Sequence, residues 1–444
     1  MRADASSLVN PLYRWGYFPT VSAAWVISDE TFLQNIAKTV NYLKLRASWG
    51  KAGGNLPGNV GSYLSTVGPI TYPDANSGVI TGYYPNNIAN PEIRWEEQED
   101  YTIGLDGNLF NNKLSFALEG YVRTPKNLLL GILVDPALGY PQGYLSYQDA
   151  NIGKLTTKGW DVSLGYKQNI TNKIRFGADL TLSQFKSTTG YLGSADPLRY
   201  GVNNDVITTF RSRLTKDHEP GAWYGYIVDG VFQTDAEASG YVNKNGQRYQ
   251  SLAKAGDLKF RDVNADDVID VKDLTDLGSP WPKLTGGLTL TLNYTQFDFR
   301  AEFYGSYGQK YNNGYNLLMN GSGHYNFISG LGDKFWHGEG TSNSFPILKA
   351  TDPNGNFSKM NSFLVEDASF TRCRLIQLGY TLPANLLKGI NNLRVYVSAQ
   401  NLFTLTEYSG LNPELPFQGI GLNGIDNFQP IQPRTYLVGL SVNL

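Results

Sequence analysis

Two neighbouring segments, residues 288–294 and 297–304, alternate between apolar and polar side chains without a break. One face carries Leu288, Leu290, Leu292, Tyr294, Phe297, Phe299, Ala301 and Phe303. The other face carries Thr289, Thr291, Asn293, Asp298, Arg300 and Glu302. Because side chains of a β-strand alternate with period two, the pattern predicts a hairpin with one apolar and one charged wall. Such a hairpin is typical of a wall between lipid and a wet lumen.

Strand character recurs along the whole chain. About eleven strands are predicted, at residues 14–27, 41–50, 99–109, 113–124, 154–168, 172–186, 284–294, 297–309, 367–381, 392–403 and 434–443. Aromatic residues near their ends fit an interfacial girdle, namely Trp15, Tyr17, Phe18, Trp49, Tyr101, Tyr121, Tyr304 and Tyr307. The chain is therefore expected to be all-β.

The links between these strands alternate between short and long. The short links are residues 110–112, 169–171, 295–296 and 383–391, and the long links are residues 51–98, 187–283, 310–366 and 404–433. Long structureless links are uncommon in compact soluble domains. In an outer-membrane barrel they are the extracellular loops, and the tight turns face the periplasm. The alternation predicts an antiparallel transmembrane β-barrel, with residues 187–283 and 310–366 outside the cell.

Composition narrows the class of protein. The 444 residues carry a formal charge of -2, with 37 Lys and Arg against 39 Asp and Glu, so nucleic acid is not an expected partner. Since no apolar run reaches 18 residues, a membrane would be crossed by strands. A water-soluble sandwich also alternates apolar and polar residues and stays open as an alternative.

Several blocks of sequence resemble the SusC/RagA branch of TonB-dependent outer-membrane transporters. The strongest are VEDASF at 365–370, LGYTLP at 378–383, LRVYVSAQNLFT at 393–404 and NPE at 412–414. Supporting blocks are RWGYFPTVS at 14–22, LKLRASWG at 43–50, NPEIRWE at 90–96, NIG at 151–153 and KG at 158–159. Together they run nearly from end to end of the chain.

The resemblance implies a barrel of about 22 strands, of which residues 1–444 supply the C-terminal portion of about 11. The N-terminal plug domain and the first half of the barrel are expected to lie outside this chain. The implied location is the cell outer membrane, with lipid around the wall. The implied partners are a SusD-like surface lipoprotein and, through the plug, the TonB complex.

One acidic segment has the ligand spacing of a calcium loop. Hard cations bind oxygen ligands at positions 1, 3, 5, 7, 9 and 12 of such a loop, with a backbone carbonyl at position 7. The matching residues are Asp262, Asn264, Asp266, Val268, Asp270 and Asp273. Position 6, which usually needs Gly, is Asp267. A structural Ca²⁺ is one interpretation and a solvated acidic turn is the other, and no cofactor is otherwise required.

Aromatic residues in the long loops are the candidates for ligand contact. Flat apolar faces with polar rims suit the stacking of sugar rings or peptides. The candidates are Trp223, Tyr224, Tyr226, Tyr311, Tyr315, Tyr325 and Trp336. The alternative is that large loops need small aromatic cores of their own.

No catalytic constellation is apparent. The three histidines, His218, His324 and His337, are far apart in sequence, and no G-x-S-x-G motif occurs. No catalytic residue is assigned and the protein is not expected to be an enzyme. The leading hypothesis is the wall and outer loops of an importer for oligosaccharides or peptides. The alternatives are a passive porin or surface adhesin on the same barrel, and a soluble calcium-stabilised glycan-binding β-sandwich.

Overall fold

The structure is a computed structural model of the chain. It describes residues 1–54, 62–73, 78–85, 88–133, 147–192, 198–204, 207–313, 330, 332–349, 351–383, 392–417, 419, 421, 423–426 and 429–443. Two compact units divide the chain. The first unit comprises Met1–Val162, Phe185–Leu198 and Thr215–His218, and the second comprises Ser163–Gln184, Arg199–Leu214 and Glu219–Leu444.

The first unit holds the N-terminal strands. They are β1 (Arg2–Ala5), β2 (Trp15–Phe18), β3 (Thr20–Val26), β4 (Val40–Gly53), β5 (Val67–Pro73), β6 (Val79–Pro85), β7 (Glu97–Leu109) and β8 (Leu114–Leu133). Short 3-10 helices lie at Pro11–Tyr13, Ile27–Asp29 and Thr31–Ile36. Strands β9 (Tyr147–Thr171) and β10 (Ile174–Thr189) contribute residues to both units.

The second unit holds the remaining strands, except that Leu198, the first residue of the first of these strands, belongs to the first unit. They are β11 (Leu198–Asn204), β12 (Ile207–Leu214), β13 (Ala222–Gly225), β14 (Val228–Val231), β15 (Leu258–Phe260), β16 (Thr275–Gly278), β17 (Leu284–Tyr294), β18 (Phe297–Tyr307), β19 (Lys310–Asn313), β20 (Val365–Asp367), β21 (Phe370–Leu382), β22 (Asn392–Thr406), β23 (Ile425–Asp426) and β24 (Thr435–Asn443). Helix α1 spans Asp235–Gly240, and 3-10 helices lie at Val271–Asp273, Gly332–Lys334 and Ser362–Leu364.

Eleven strands form one sheet, in the order β24-β22-β21-β18-β17-β10-β9-β8-β7-β4-β3. The strand partners follow the chain as in an up-and-down meander, in which each long strand pairs with the next. These are the eleven strands predicted from the sequence, with one change. The predicted strand at 14–27 divides into β2 and β3, and β2 pairs with β1 outside the large sheet.

The register keeps each wall of the sheet uniform. An apolar row crosses six strands through Val438, Val397, Leu378, Phe299, Leu292 and Phe176, each the direct partner of the next. A polar row on the opposite face joins Thr291, Arg300, Gln377 and Ser398. A slip of one residue in any pairing would mix these rows, so the alternation along the chain excludes registers shifted by an odd number of residues.

Side chains of the apolar wall are exposed on the surface of the chain. Val438, Leu440 and Val397 are 79%, 65% and 49% exposed. A large exposed apolar surface marks contact with a membrane or a partner. In a soluble sandwich this face would be buried under a second sheet. Of the aromatic residues assigned to the girdle, Trp15, Tyr17, Tyr101 and Tyr307 are exposed, but Phe18 and Tyr121 are buried.

The long loops carry structure of their own, and their small sheets are not predicted from the sequence. Small sheets and bridges appear within them, including the four-stranded sheet β11-β12-β13-β16 and the three-stranded sheet β20-β19-β23. Buried apolar clusters hold these loops together, and one of them contains Trp223, Phe335, Phe357, Met360, Leu364 and Ile425. Among the residues that the structure describes, no helix has the length and apolar character needed to cross a membrane.

Candidate functional site

The polar wall of the second unit carries an ion pair that bridges two strands across a third. Arg394 on β22 donates from Nε to Oδ1 of Asp298 at 2.9 Å and from Nη2 to Oδ2 at 2.6 Å. Gly379 on β21 lies between them and pairs directly with Asp298. A Cβ at Gly379 would lie 2.4 Å from Asp298 Oδ1 and 2.6 Å from Arg394 Nη2. The absence of a side chain at Gly379 therefore makes this bidentate pair possible.

The polar wall of the first unit uses the same arrangement. Arg46 on β4 donates to Asp106 at 3.1 Å and, across Gly104, to Glu119 on β8 at 2.6 Å. Gly104 pairs with both Arg46 and Glu119, and a Cβ there would lie 2.5 Å from the guanidinium carbon of Arg46. Neither ion pair is among the features predicted from the sequence. The signal was present, because each Gly falls on the polar face between strands that carry opposite charges.

A groove with polar and apolar lining residues lies where β21 and β22 meet the loop at 407–434. Its volume is about 520 Å³, and Arg372, Asn401, Thr404, Asn412 and Arg434 are among the residues that line it. The Arg372 side chain is only 4% exposed. It donates to Thr404 at 3.0 Å, to Asn412 at 3.2 Å and to Glu414. The NPE block at 412–414 thus holds a buried cation at the loop end of the strands.

Two of the aromatic ligand candidates lie inside loop cores. Trp223 has no exposed surface, and its Nε1 donates to the Lys310 carbonyl at 2.6 Å. Tyr311 is 9% exposed and packs edge-on against Tyr408, with ring centroids 5.9 Å apart. Burial raises the pKa of Tyr311 to about 12. Neither ring presents a free face.

The other described candidates are half-buried. Arg213 lies over the Tyr224 ring, with Cζ 3.4 Å from the centroid. The Tyr226 ring packs against Phe260 at 5.4 Å, and burial raises its pKa. Trp336 Nε1 donates to Gln233 at 3.3 Å. Tyr315 and Tyr325 lie outside the described residues. Ligand contact by the half-buried rings stays a prediction.

The acidic segment folds as a compact loop. Asp262 accepts from the Ala265 and Asp267 amides at 2.7 and 2.9 Å, and Asp266 accepts from the Val268 amide at 3.2 Å. Asp267, at position 6, adopts a left-handed φ of 68°, the conformation that a calcium loop requires there. The turn geometry therefore tolerates Asp in place of Gly.

The carboxylates of this loop accept hydrogen bonds from other residues of the loop. Asp273 is fully buried and accepts from the Val263 and Asp270 amides, both at 2.8 Å. Asp270 accepts from the Lys272 amide and Asn264 donates to Asp266. Within the described ranges, no three Asp, Glu, His or Cys side chains are arranged to hold a metal ion. Calcium binding here stays a prediction.

The sheet has the features of an outer-membrane β-barrel wall. One face is apolar and exposed, the other is charged, and the long links between strands form structured loops.

No protein-family model matches the chain. The TonB-dependent receptor P26 of Formosa agariphila is 30% identical over 99% of this chain and 44% of its own length. The TonB-dependent receptor SusC of Bacteroides thetaiotaomicron is 26% identical over 100% of this chain and 41% of its own length.

Solved structures agree in fold. The RagAB peptide transporter superposes with a TM-score of 0.75 at 21% identity, over 99% of this chain and 44% of that chain. The resemblance to SusC/RagA-type TonB-dependent transporters and the outer-membrane location are thereby confirmed. The chain spans less than half the length of the curated relatives it matches.

Proposed function

We propose that this chain forms the wall and outer loops of an active outer-membrane importer for oligosaccharides or peptides. The observation that carries the proposal is the two-faced sheet, combined with similarity to TonB-dependent receptors over 99% of the chain. A wall with lipid on one side and paired charges on the other suits a lumen through which polar solutes pass.

The proposed mechanism has two stages. Substrate is captured between the outer loops and a SusD-like surface lipoprotein. TonB then acts on a plug domain that lies outside this chain, and the substrate passes along the charged wall. This chain performs no covalent chemistry. The half-buried rings of Tyr224, Tyr226 and Trp336 are the proposed ligand contacts, since each is held by a neighbouring side chain and the residue keeps part of its surface exposed.

Uptake by cells that express the full-length protein tests this function. Radiolabelled oligosaccharides and short peptides are supplied in parallel, with and without a protonophore and in a strain that lacks TonB. An importer accumulates one class of solute, and its uptake stops when the protonophore is added or when TonB is absent. Uptake that persists without TonB supports the passive porin. Binding to cells without uptake of any solute supports the adhesin.

The ligand contacts are tested in the same assay. Tyr224→Ala removes the ring beneath Arg213, whereas Tyr224→Phe keeps the ring and removes only the hydroxyl. The proposal expects lower uptake at limiting substrate for Tyr224→Ala and near-normal uptake for Tyr224→Phe. Equal uptake by both variants and the wild type would exclude Tyr224 from the ligand site.

A further inference from the structure

The lipid-facing wall contains a groove whose floor is bare backbone. Gly286 on β17 and Gly305 on β18 are direct partners in the register. Their neighbours in the same row are Leu182 on β10 and Thr371 on β21. Two adjacent positions of the apolar wall thus lack side chains, and the wall is recessed there.

Apolar side chains surround this floor. The groove has a volume of about 400 Å³ and is bounded by Leu180, Leu182, Leu288, Phe303 and Tyr307. Leu182 and Tyr307 lean over the glycines. A Cβ at Gly286 would lie 2.9 Å from Leu182 Cδ2, and a Cβ at Gly305 would lie 2.6 Å from the Tyr307 hydroxyl oxygen. A side chain at either glycine would therefore fill or reshape the groove.

The groove lies at the loop end of its strands. β17 begins at Leu284, after the long link 187–283, and β18 ends at Tyr307, before the link 310–366. These links are extracellular, so the groove is at the depth of the outer leaflet. The hydroxyls of Tyr307 and Thr371 hydrogen-bond to each other at its edge. A tyrosine with an apolar ring and a polar tip is suited to this boundary.

We propose that this groove binds one hydrocarbon chain of an outer-leaflet lipid, laid against the backbone of β17 and β18. The groove is continuous with the lipid-facing wall, so lipid chains reach it without crossing water. Leu182, Leu288, Phe303 and Tyr307 line the groove beside the glycine floor, so a chain lying in it has apolar neighbours beside it as well as beneath it. The hydroxyl pair of Tyr307 and Thr371 marks the end nearest the lipid headgroup.

A photoactivatable lipid provides the test. The full-length protein is reconstituted into vesicles of phosphatidylethanolamine, a small fraction of which carries a diazirine on one acyl chain. After illumination, labelled peptides are mapped by mass spectrometry. The proposal expects labelling of Leu288 and Phe303 to exceed that of Val397 and Val438 several-fold. It also expects labelling in the groove to saturate as the probe fraction rises, whereas labelling of the wall increases linearly.

Two variants separate the groove from the general lipid surface. Gly305→Val fills the floor and is expected to reduce labelling at Leu288 and Phe303 to the level of the open wall. Ala399→Val adds two methyl groups to the apolar wall outside the groove and is expected to leave labelling unchanged. Heat-modifiable migration on gels shows that each variant has folded.

Three results would overturn the proposal. The first is uniform labelling along the wall. The second is labelling of Leu288 in the wild-type protein that rises linearly with the probe fraction and does not saturate. The third is protection of the groove together with intermolecular disulfide formation on oxidation of a Leu288→Cys variant, which would make a second copy of the chain the occupant.

Discussion

The ion pair between Arg394 and Asp298 depends on an empty position, and Gly379→Ala is the change that tests it. The added Cβ would lie 2.4 Å from Asp298 Oδ1, well inside van der Waals contact, so the carboxylate has to turn away. Both charged residues remain in the protein. The substitution therefore breaks the geometry of the pair without deleting a charge.

The expected loss of unfolding free energy is small because the Arg394–Asp298 pair faces a solvated lumen. At 2.6 Å between Nη2 and Oδ2, two unit charges attract by about 1.6 kcal/mol in bulk water. The side chains of Arg394 and Asp298 are 26% and 30% exposed, and ordering them offsets part of this attraction. We expect a net contribution of about 1 kcal/mol from the pair.

The assay is urea unfolding of the full-length protein in lipid vesicles, at low and high salt. Relative to the control, which carries the same change in backbone entropy, Gly379→Ala is expected to lower the free energy of unfolding by about 1 kcal/mol. The control is Gly120→Ala, where the nearest atom to the added Cβ is Ile103 Cγ2 at 3.9 Å. Since Ala orders a strand at lower entropic cost than Gly, the control is expected to be neutral or slightly stabilising.

A double-mutant cycle completes the test. Asp298→Asn and Arg394→Gln, separately and together, are expected to give a coupling energy near that of Gly379→Ala, and the coupling should weaken in high salt. If Gly379→Ala behaves like Gly120→Ala, or if the coupling is within error of zero, the bridge has no energetic role and the reasoning is wrong.

Three further outcomes are expected. Trp223→Ala should destabilise the outer loops by about 3–5 kcal/mol, measured by protease sensitivity, because it empties a fully buried site. Burial raises the pKa of Tyr311 from 10.0 to about 12, so the stability that it contributes is fully present below pH 10 and is lost as pH rises through 12. The melting temperature of the loops should therefore depend less on pH across that range in Tyr311→Phe than in the wild type. If the acidic loop binds calcium, chelator should lower the melting temperature of the wild type but not of Asp266→Asn, and equal shifts would exclude that loop.

The long strands could be predicted because the polarity of each side chain matches the wall on which it lies. Leu288 and Thr289 differ in polarity because they lie on opposite walls, and this contrast repeats at every second residue. The loops gave no such signal. Trp223 and Tyr224 are neighbours in sequence, yet one is fully buried and the other is half-buried beneath Arg213. The burial of Trp223 depends on Phe335, Met360 and other residues more than 100 positions away.

The sequence by itself determined the class of fold, the approximate positions of the long strands and, away from the β-bulges, the wall on which their side chains lie. Those features follow from local periodicity, which is present before any long-range contact forms. Only the tertiary structure decided that Gly379 admits an ion pair, that Gly286 and Gly305 open a groove and that Trp223 is closed to ligand. Each of these depends on which residue lies opposite in the neighbouring strand or loop, and that partner is chosen by register and packing, not by the adjacent sequence.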